Sequence, residues 1–238
     1  MPPPPPQRPR KPAVNLPPVV GTLIAVNVGI YLLGAVMPWR WTSELLLNLG
    51  FVPGRYSLPG GLGWQALLSP VTHQFLHGGG LHILINMIML AAFGTGVERV
   101  LGGARVLAIF LLSGIAGAAL HYAFYPDTTI PVVGASGAIS GLFGAVLRLM
   151  AKQAGPGGGG KRILPVAAIW IAIAVITGFT GAPGAGEDVQ IAWAAHVGGF
   201  LLGFLALDLF AIGAPLPARR RPRRPSHLRD IDDDEPRH

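Results

Sequence analysis

A serine and a histidine that together could cut an amide bond lie in two different apolar segments of this sequence. Ser136 stands in the tetrapeptide GASG (134–137), and His196 in the pentapeptide AHVGG (195–199). A serine hydroxyl is a weak nucleophile until a neighbouring base takes its proton, and a neutral imidazole is the usual base near pH 7. We therefore expect Ser136 to act as nucleophile and His196 as general base, if the fold brings them together.

A second polar pair, His82 and Asn86, is spaced i, i+4 and so faces one side of a helix. Both side chains can donate hydrogen bonds to an oxyanion, which predicts a role in stabilising a tetrahedral intermediate. Two other interpretations stay open: a hydrogen bond that only holds helices together, and a metal site formed by His73, His77 and His82. The His-Glu-x-x-His pattern of metalloproteases is absent and the chain has no cysteine, so we expect no metal and no cofactor.

The elements that must position these residues are apolar segments long enough to cross a bilayer. The chain has 51% hydrophobic and 12% charged residues with a mean hydropathy of +0.51, which excludes an ordinary soluble domain. A helix rises about 1.5 Å per residue, so roughly 20 apolar residues span the hydrocarbon core. We predict an all-α polytopic membrane protein with six spans, at approximately 19–37, 78–96, 104–125, 132–150, 163–180 and 192–212.

The distribution of the 18 lysines and arginines predicts the orientation of these spans. With the N-terminus inside, every one of them except Arg40 and Arg55 falls on the inner side, as the positive-inside rule requires. This orientation predicts that both termini are cytoplasmic. We interpret the membrane as a bacterial plasma membrane. The net charge of +7 is explained by topology and by attraction to lipid, so no nucleic-acid partner is expected.

In this orientation the second, fourth and sixth spans run from the outer to the inner face. His82, Ser136 and His196 are then each about four residues from the outer edge and share one plane. Small residues favour close helix packing around that plane. They are Gly134, Gly137, Gly199 and Gly203.

Three divisions of the chain follow from its composition. Residues 1–18 form a proline- and arginine-rich tail, residues 19–213 the membrane domain, and residues 214–238 a tail with a basic run followed by an acidic run. Both tails are expected to be disordered and cytoplasmic.

The ordered set of motifs resembles the signature of rhomboid intramembrane serine proteases. It comprises FLHGG (75–79) with His82-x-x-x-Asn86, then GASG, then Ala195-His196-x-x-Gly199-x-x-x-Gly203. Glu98-x-x-x-Gly102, which we place at the opening of the third span, also fits. The resemblance implies a six-helix bundle, a Ser136–His196 dyad, and an oxyanion hole made by the Ser136 amide, His82 and Asn86. It further implies cleavage of transmembrane protein substrates near small residues, with entry past the fifth helix or a cap loop.

Two positions depart from the family pattern. Trp64 is followed by Gln65 where the family often has arginine, and Ser140 stands where some members stack a tyrosine on the histidine. Neither change touches the dyad.

No aspartate or glutamate lies in the outer half of any predicted span, so a dyad is favoured over a triad. A triad would require Asp127, Glu187 or Asp188 to fold in from an outer loop. His121 and Ser140 are expected to pack, and Asp208 to pair with Arg148 or Lys152 at the inner face.

Two functions of other classes remain as alternatives. A transporter or channel would use the same polar groups to bind a solute, although repeats and intramembrane charges are lacking. An inactive rhomboid-like binding protein would be expected to lack the serine or the histidine.

Overall fold

The computed structural model describes residues 15–57, 62–154, 159–180 and 192–213, and over these ranges the chain is helical apart from turns and one isolated β-bridge. Two short 3₁₀ turns, Pro53–Tyr56 and His73–Phe75, lie beside the third α-helix. The α-helices of the described residues are α1 (Pro18–Val36), α2 (Trp39–Leu49), α3 (Trp64–Thr72), α4 (Gly80–Leu101), α5 (Gly103–Phe124), α6 (Ser136–Ala154), α7 (Gly159–Thr180), α8 (Trp193–Leu205) and α9 (Leu207–Phe210).

Five of the six predicted spans each fall largely on one long helix, namely α1, α4, α5, α6 and α7. The sixth, predicted over 192–212, is divided at Ala206 into α8, of 13 residues, and the short α9. By length and composition alone, α1, α4 and α5 could each cross a membrane. Shorter apolar stretches, Ile163–Ile176 and Trp193–Leu205, lie in α7 and α8. The expected tails lie almost wholly outside the described residues, as do Glu187 and Asp188.

The fourth span begins later than predicted. Residues 132–135 are not helical, and α6 starts at Ser136 itself. Val132 instead pairs with Phe51 through two backbone hydrogen bonds of 3.0 and 2.8 Å, which ties the approach to α6 to the first loop. Hydrophobicity alone did not distinguish the β-branched Val132 and Val133 from the helix that follows them.

The segment predicted as a long loop, residues 38–77, contains two helices. Gln65 on α3 donates a hydrogen bond to Asn48 Oδ1 on α2 at 3.3 Å, so an amide links the two helices where the family often has an arginine. Gln74 is fully buried, and its amide donates to the Leu111 carbonyl on α5 at 3.2 Å. The loop is therefore fastened to the helix bundle.

Helices α6 and α8 cross with their backbones in contact. A methyl group added at Gly199 would overlap the Gly137 carbonyl, and one added at Gly203 would overlap the Gly141 carbonyl. The expected small-residue interface is thus present in the structure, and only glycine fits at these two positions.

The interior of the bundle is apolar. Leu90, Phe110 and Leu142, from α4, α5 and α6, are fully buried in one cluster. A second cluster packs α7 against the bundle. In this cluster the ring centroids of Trp170 and Phe143 lie 4.6 Å apart.

Glu98 lies in the last turns of α4, so its placement at the opening of the third span was wrong. The buried carboxylate accepts hydrogen bonds from the backbone N–H groups of Val19 and Val20, at 3.1 and 2.8 Å. Those groups have no acceptor within α1 because they lie in its first turn. Glu98 thereby caps a helix distant from it in sequence.

At the end of the bundle where α6 ends and α9 begins, Asp208 forms an ion pair with Arg148 at 2.9 Å and another with Lys152. This pairing confirms the sequence-based expectation for Asp208.

Candidate active site

Ser136 is the first residue of α6. The Ala135 carbonyl accepts the first described hydrogen bond of the helix, from the Ile139 amide at 2.9 Å. The N–H groups of Ser136 and Gly137 come before that bond and have no acceptor within the helix. Together with the positive end of the helix dipole, they form a local environment that favours negative charge beside the Ser136 hydroxyl.

His196 is the fourth residue of α8, on the helix that packs most closely against α6. Its neighbour Ala195 contributes a carbonyl oxygen only 3.2 Å from where a Cβ of Gly137 would stand. Gly137 and Ala195, which adjoin Ser136 and His196, are therefore in contact. Among the described residues no hydrogen bond joins Ser136 to His196.

His82, the third residue of α4, packs against the segment that leads into α6. Its Cε1 and Nε2 atoms lie 2.8 Å from the position of a Cβ on Gly134, and Ser136 Oγ lies 3.8 Å from that same point. Gly134 has φ +123°, a conformation that side-chain-bearing residues rarely adopt. His82 and Ser136 Oγ thus lie near the same face of Gly134, the face on which a side chain would stand.

The amide of Gly134 is also bonded to the first loop. It donates to the His73 carbonyl at 2.9 Å. This bond and the Phe51–Val132 bridge hold residues 132–134 in place ahead of the nucleophile candidate.

Asn86 lies one turn after His82 on the same face and is 5% exposed. Its side-chain amide donates to the His82 carbonyl at 2.9 Å, within its own helix. Because an amide group carries two N–H donors, one remains for a further acceptor. The structure therefore places Asn86 beside His82, with one of its two side-chain N–H groups already hydrogen-bonded.

From the sequence, we considered His77 only as one ligand of an alternative metal site and assigned it no part in the serine chemistry. Its ring centroid lies 5.1 Å from that of His82 at an interplanar angle of 65°. The sequence signal was present, because His77 is in the FLHGG motif, but spacing alone did not show that its ring contacts His82.

His77 and His73 lie outside the long helices, and burial lowers the pKa of each from 6.5 to about 4. The neighbouring His82 adds to the lowering of the pKa of His77. His73 also shares a hydrogen bond between Nδ1 and the Ser69 carbonyl at 2.9 Å. Both rings are consequently neutral near pH 7.

Other polar residues from the sequence analysis lie beside this set. Ser140 is buried next to the α6–α8 contact, and no aromatic ring pairs with His196 within the described ranges. His121 is buried and packs against Tyr125, centroids 5.0 Å apart, as expected. Asp127 is exposed. No three His, Asp or Glu side chains of the described residues converge as metal ligands would.

Comparison with known proteins gives a single family. The family model described as Rhomboid domain matches residues 65–212. The chain is 32% identical over 206 residues to "Putative rhomboid protease YdcA" of Bacillus subtilis, covering 82% of this chain and 92% of that protein.

Two longer proteins are also similar. "Rhomboid protease GluP" of Bacillus subtilis is 35% identical over 153 residues, which are 64% of this chain and 27% of that protein. "RHOMBOID-like protein 4" of Arabidopsis thaliana is 30% identical over 164 residues, which are 69% of this chain and 38% of that protein. The chain thus spans well under half the length of these two relatives.

Proposed function

The chain belongs to the rhomboid family, a family of polytopic helical membrane proteins, and on that premise we propose that it is an intramembrane serine endopeptidase. Ser136 is the nucleophile and His196 the general base of this proposal. Relatives that carry the word protease in their names support the activity, and the arrangement of the described residues supports the roles.

The contact between the outer halves of α6 and α8 carries the proposal. Because Gly137 packs on Ala195, the residues next to them, Ser136 and His196, occupy adjacent helix ends. In this proposal the nucleophile–base hydrogen bond between Ser136 and His196 forms when substrate is bound.

The reaction proceeds by acyl transfer. Ser136 Oγ attacks the carbonyl carbon of a substrate peptide bond while His196 takes the hydroxyl proton. The tetrahedral intermediate collapses as His196 returns the proton to the leaving nitrogen, and the new amine departs. Water then attacks the acyl-enzyme with His196 again as base, which releases the carboxylic acid and restores Ser136.

The oxyanion of each tetrahedral intermediate is stabilised by three donors in this proposal. They are the Ser136 backbone N–H at the start of α6, the ring of His82 beside Gly134, and the free N–H of Asn86. Donors fixed before the reaction begins stabilise the developing charge without reorganisation.

The substrates in this proposal are transmembrane segments of other proteins, cut near the outer face. The lysine and arginine distribution supports an orientation with both termini cytoplasmic in a bacterial plasma membrane. The chemistry uses no metal and no cofactor.

Cleavage of a model transmembrane substrate in liposomes tests the proposal. We expect Ser136→Ala and His196→Ala each to abolish cleavage, because each removes one member of the dyad. Ser140→Ala is the matched control, since this buried serine lies one turn along the same helix, and it should cleave normally. Normal cleavage by purified Ser136→Ala would contradict the proposal.

A further inference from the structure

The His82 ring has two neighbours that have no part in the chemistry. Its Cε1 and Nε2 atoms lie 2.8 Å from the position that a Cβ of Gly134 would occupy. The ring of His77 packs against it at a centroid separation of 5.1 Å. His82 therefore contacts both the first loop, through His77, and the segment that leads to Ser136, through Gly134.

Packing encloses the ring of His77. The residue is 7% exposed, and neither ring nitrogen has a hydrogen-bond partner of full geometry among the described residues. The nearby Phe75 backbone partly offsets the lowering of the His77 pKa by burial. Leu76 before it is 3% exposed, which anchors the preceding backbone. A buried aromatic ring in edge-to-face contact with another restricts the orientation of both.

Gly78 and Gly79, which follow His77, have no side chain that could restrain the His82 ring. A Cβ added at Gly78 or at Gly79 would meet nothing within 4 Å. The side chain of His77 is thus the feature of this tripeptide that reaches His82.

We propose that His77 is a positioning residue for the oxyanion site: its ring holds the His82 imidazole against Gly134, so that a ring N–H of His82 points to the oxygen of a carbonyl bonded to Ser136. This inference rests on the proposed function. His77 touches neither substrate nor nucleophile, and it acts through His82.

Because His77 positions His82 and does not contact substrate, removing its ring lowers the reaction rate without weakening substrate binding. A displacement of about 1 Å in a group that contacts the transition state can cost roughly 10²-fold in rate. Removal of the His77 ring leaves space into which His82 can rotate, whereas phenylalanine keeps a ring of similar size at the same place.

The rate of labelling by a fluorophosphonate tests this role, because the phosphoryl oxygen of the probe occupies the oxyanion site when Ser136 is modified. The full-length protein in detergent is compared with His77→Ala, His77→Phe and the adjacent control Gly78→Ala. His77→Ala is also combined with His82→Ala, and thermal unfolding checks that each variant is folded.

We expect His77→Ala to label about tenfold or more slowly, and His77→Phe and Gly78→Ala to label within about threefold of the unchanged protein. With His82→Ala already present, His77→Ala should have almost no further effect, because residues that act through one group are not additive. A purely structural role would reduce the labelled fraction in both backgrounds alike.

Three results would overturn the inference. The labelling rate could be unchanged in His77→Ala, or it could fall as much in His77→Phe as in His77→Ala. It could also fall by the same factor when His77→Ala is added to His82→Ala as when it is made alone. These results leave the proposed function intact as long as the unchanged protein is labelled on Ser136. No labelling of the unchanged protein would overturn the proposed function, and this inference with it.

Discussion

Gly134 is a residue near the candidate site at which both the backbone conformation and a neighbouring side chain favour glycine. Its φ of +123° is one that side-chain-bearing residues rarely adopt, and an added Cβ would lie 2.8 Å from ring atoms of His82, so that the ring would have to move. The family motif predicted a small residue here. The structure adds the reason, which is that the absence of a side chain lets His82 reach the side of Ser136.

We expect Gly134→Ala to slow fluorophosphonate labelling by about 10²-fold, the usual cost of losing one oxyanion donor, because the new methyl group displaces His82. The control is Gly29→Ala on α1, where an added Cβ meets nothing within 4 Å. Equal labelling rates in the two variants would show that His82 is not held against Gly134.

At the scale of elements, hydrophobicity predicted each long helix but not what fastens one helix to another. The five long helices were predicted because apolar length is a local property of the sequence, but the break at Ala206 between α8 and α9 was not. The start of α6 was missed because Val132 is as apolar as a helical residue, although it pairs with Phe51. The contacts of Glu98 with Val19 and of His77 with His82 join residues that spacing does not relate.

Glu98 provides a test of how α1 is attached. Glu98→Ala leaves two N–H groups in the first turn of α1 without an acceptor, and an unsatisfied buried donor costs about 1–3 kcal/mol. We expect a lower free energy of unfolding, by about 2–4 kcal/mol, and a smaller loss for Glu98→Gln, which retains an acceptor oxygen.

Asp208→Asn is the control for removing a carboxylate, since its ion pairs with Arg148 and Lys152 are half exposed. Exposed pairs contribute about 0–1 kcal/mol. Denaturation in detergent compares the three variants. A loss in Glu98→Ala no greater than that in Asp208→Asn would refute the capping role.

At the scale of the whole molecule, a first loop that looks irregular in sequence is joined to the bundle by buried groups, among them two neutral histidines. The pKa values of His73 and His77 are lowered by burial to about 4, from 6.5. Below pH 6.5 the unfolded chain binds protons that the folded protein does not. Stability is therefore greatest above this pH and declines until the pH reaches about 4.

We expect the thermal midpoint in detergent to fall as the pH is lowered from 7 to 4.5. Each of the two histidines contributes up to about 1.4 kcal/mol per pH unit to this decline. His73→Gln removes one titrating group, so its stability should depend less steeply on pH. Identical slopes for His73→Gln and the unchanged protein would contradict the burial of a neutral His73.

The arrangement of the whole chain leads to one central claim, that Ser136 is a nucleophile activated by His196. The most direct measurement is to treat the purified protein with a fluorophosphonate and identify the modified residue by mass spectrometry. We expect modification of Ser136, lost in Ser136→Ala and in His196→Ala and retained in Ser140→Ala. Modification that persists in His196→Ala at the unchanged rate, or that falls on a serine other than Ser136, would contradict it.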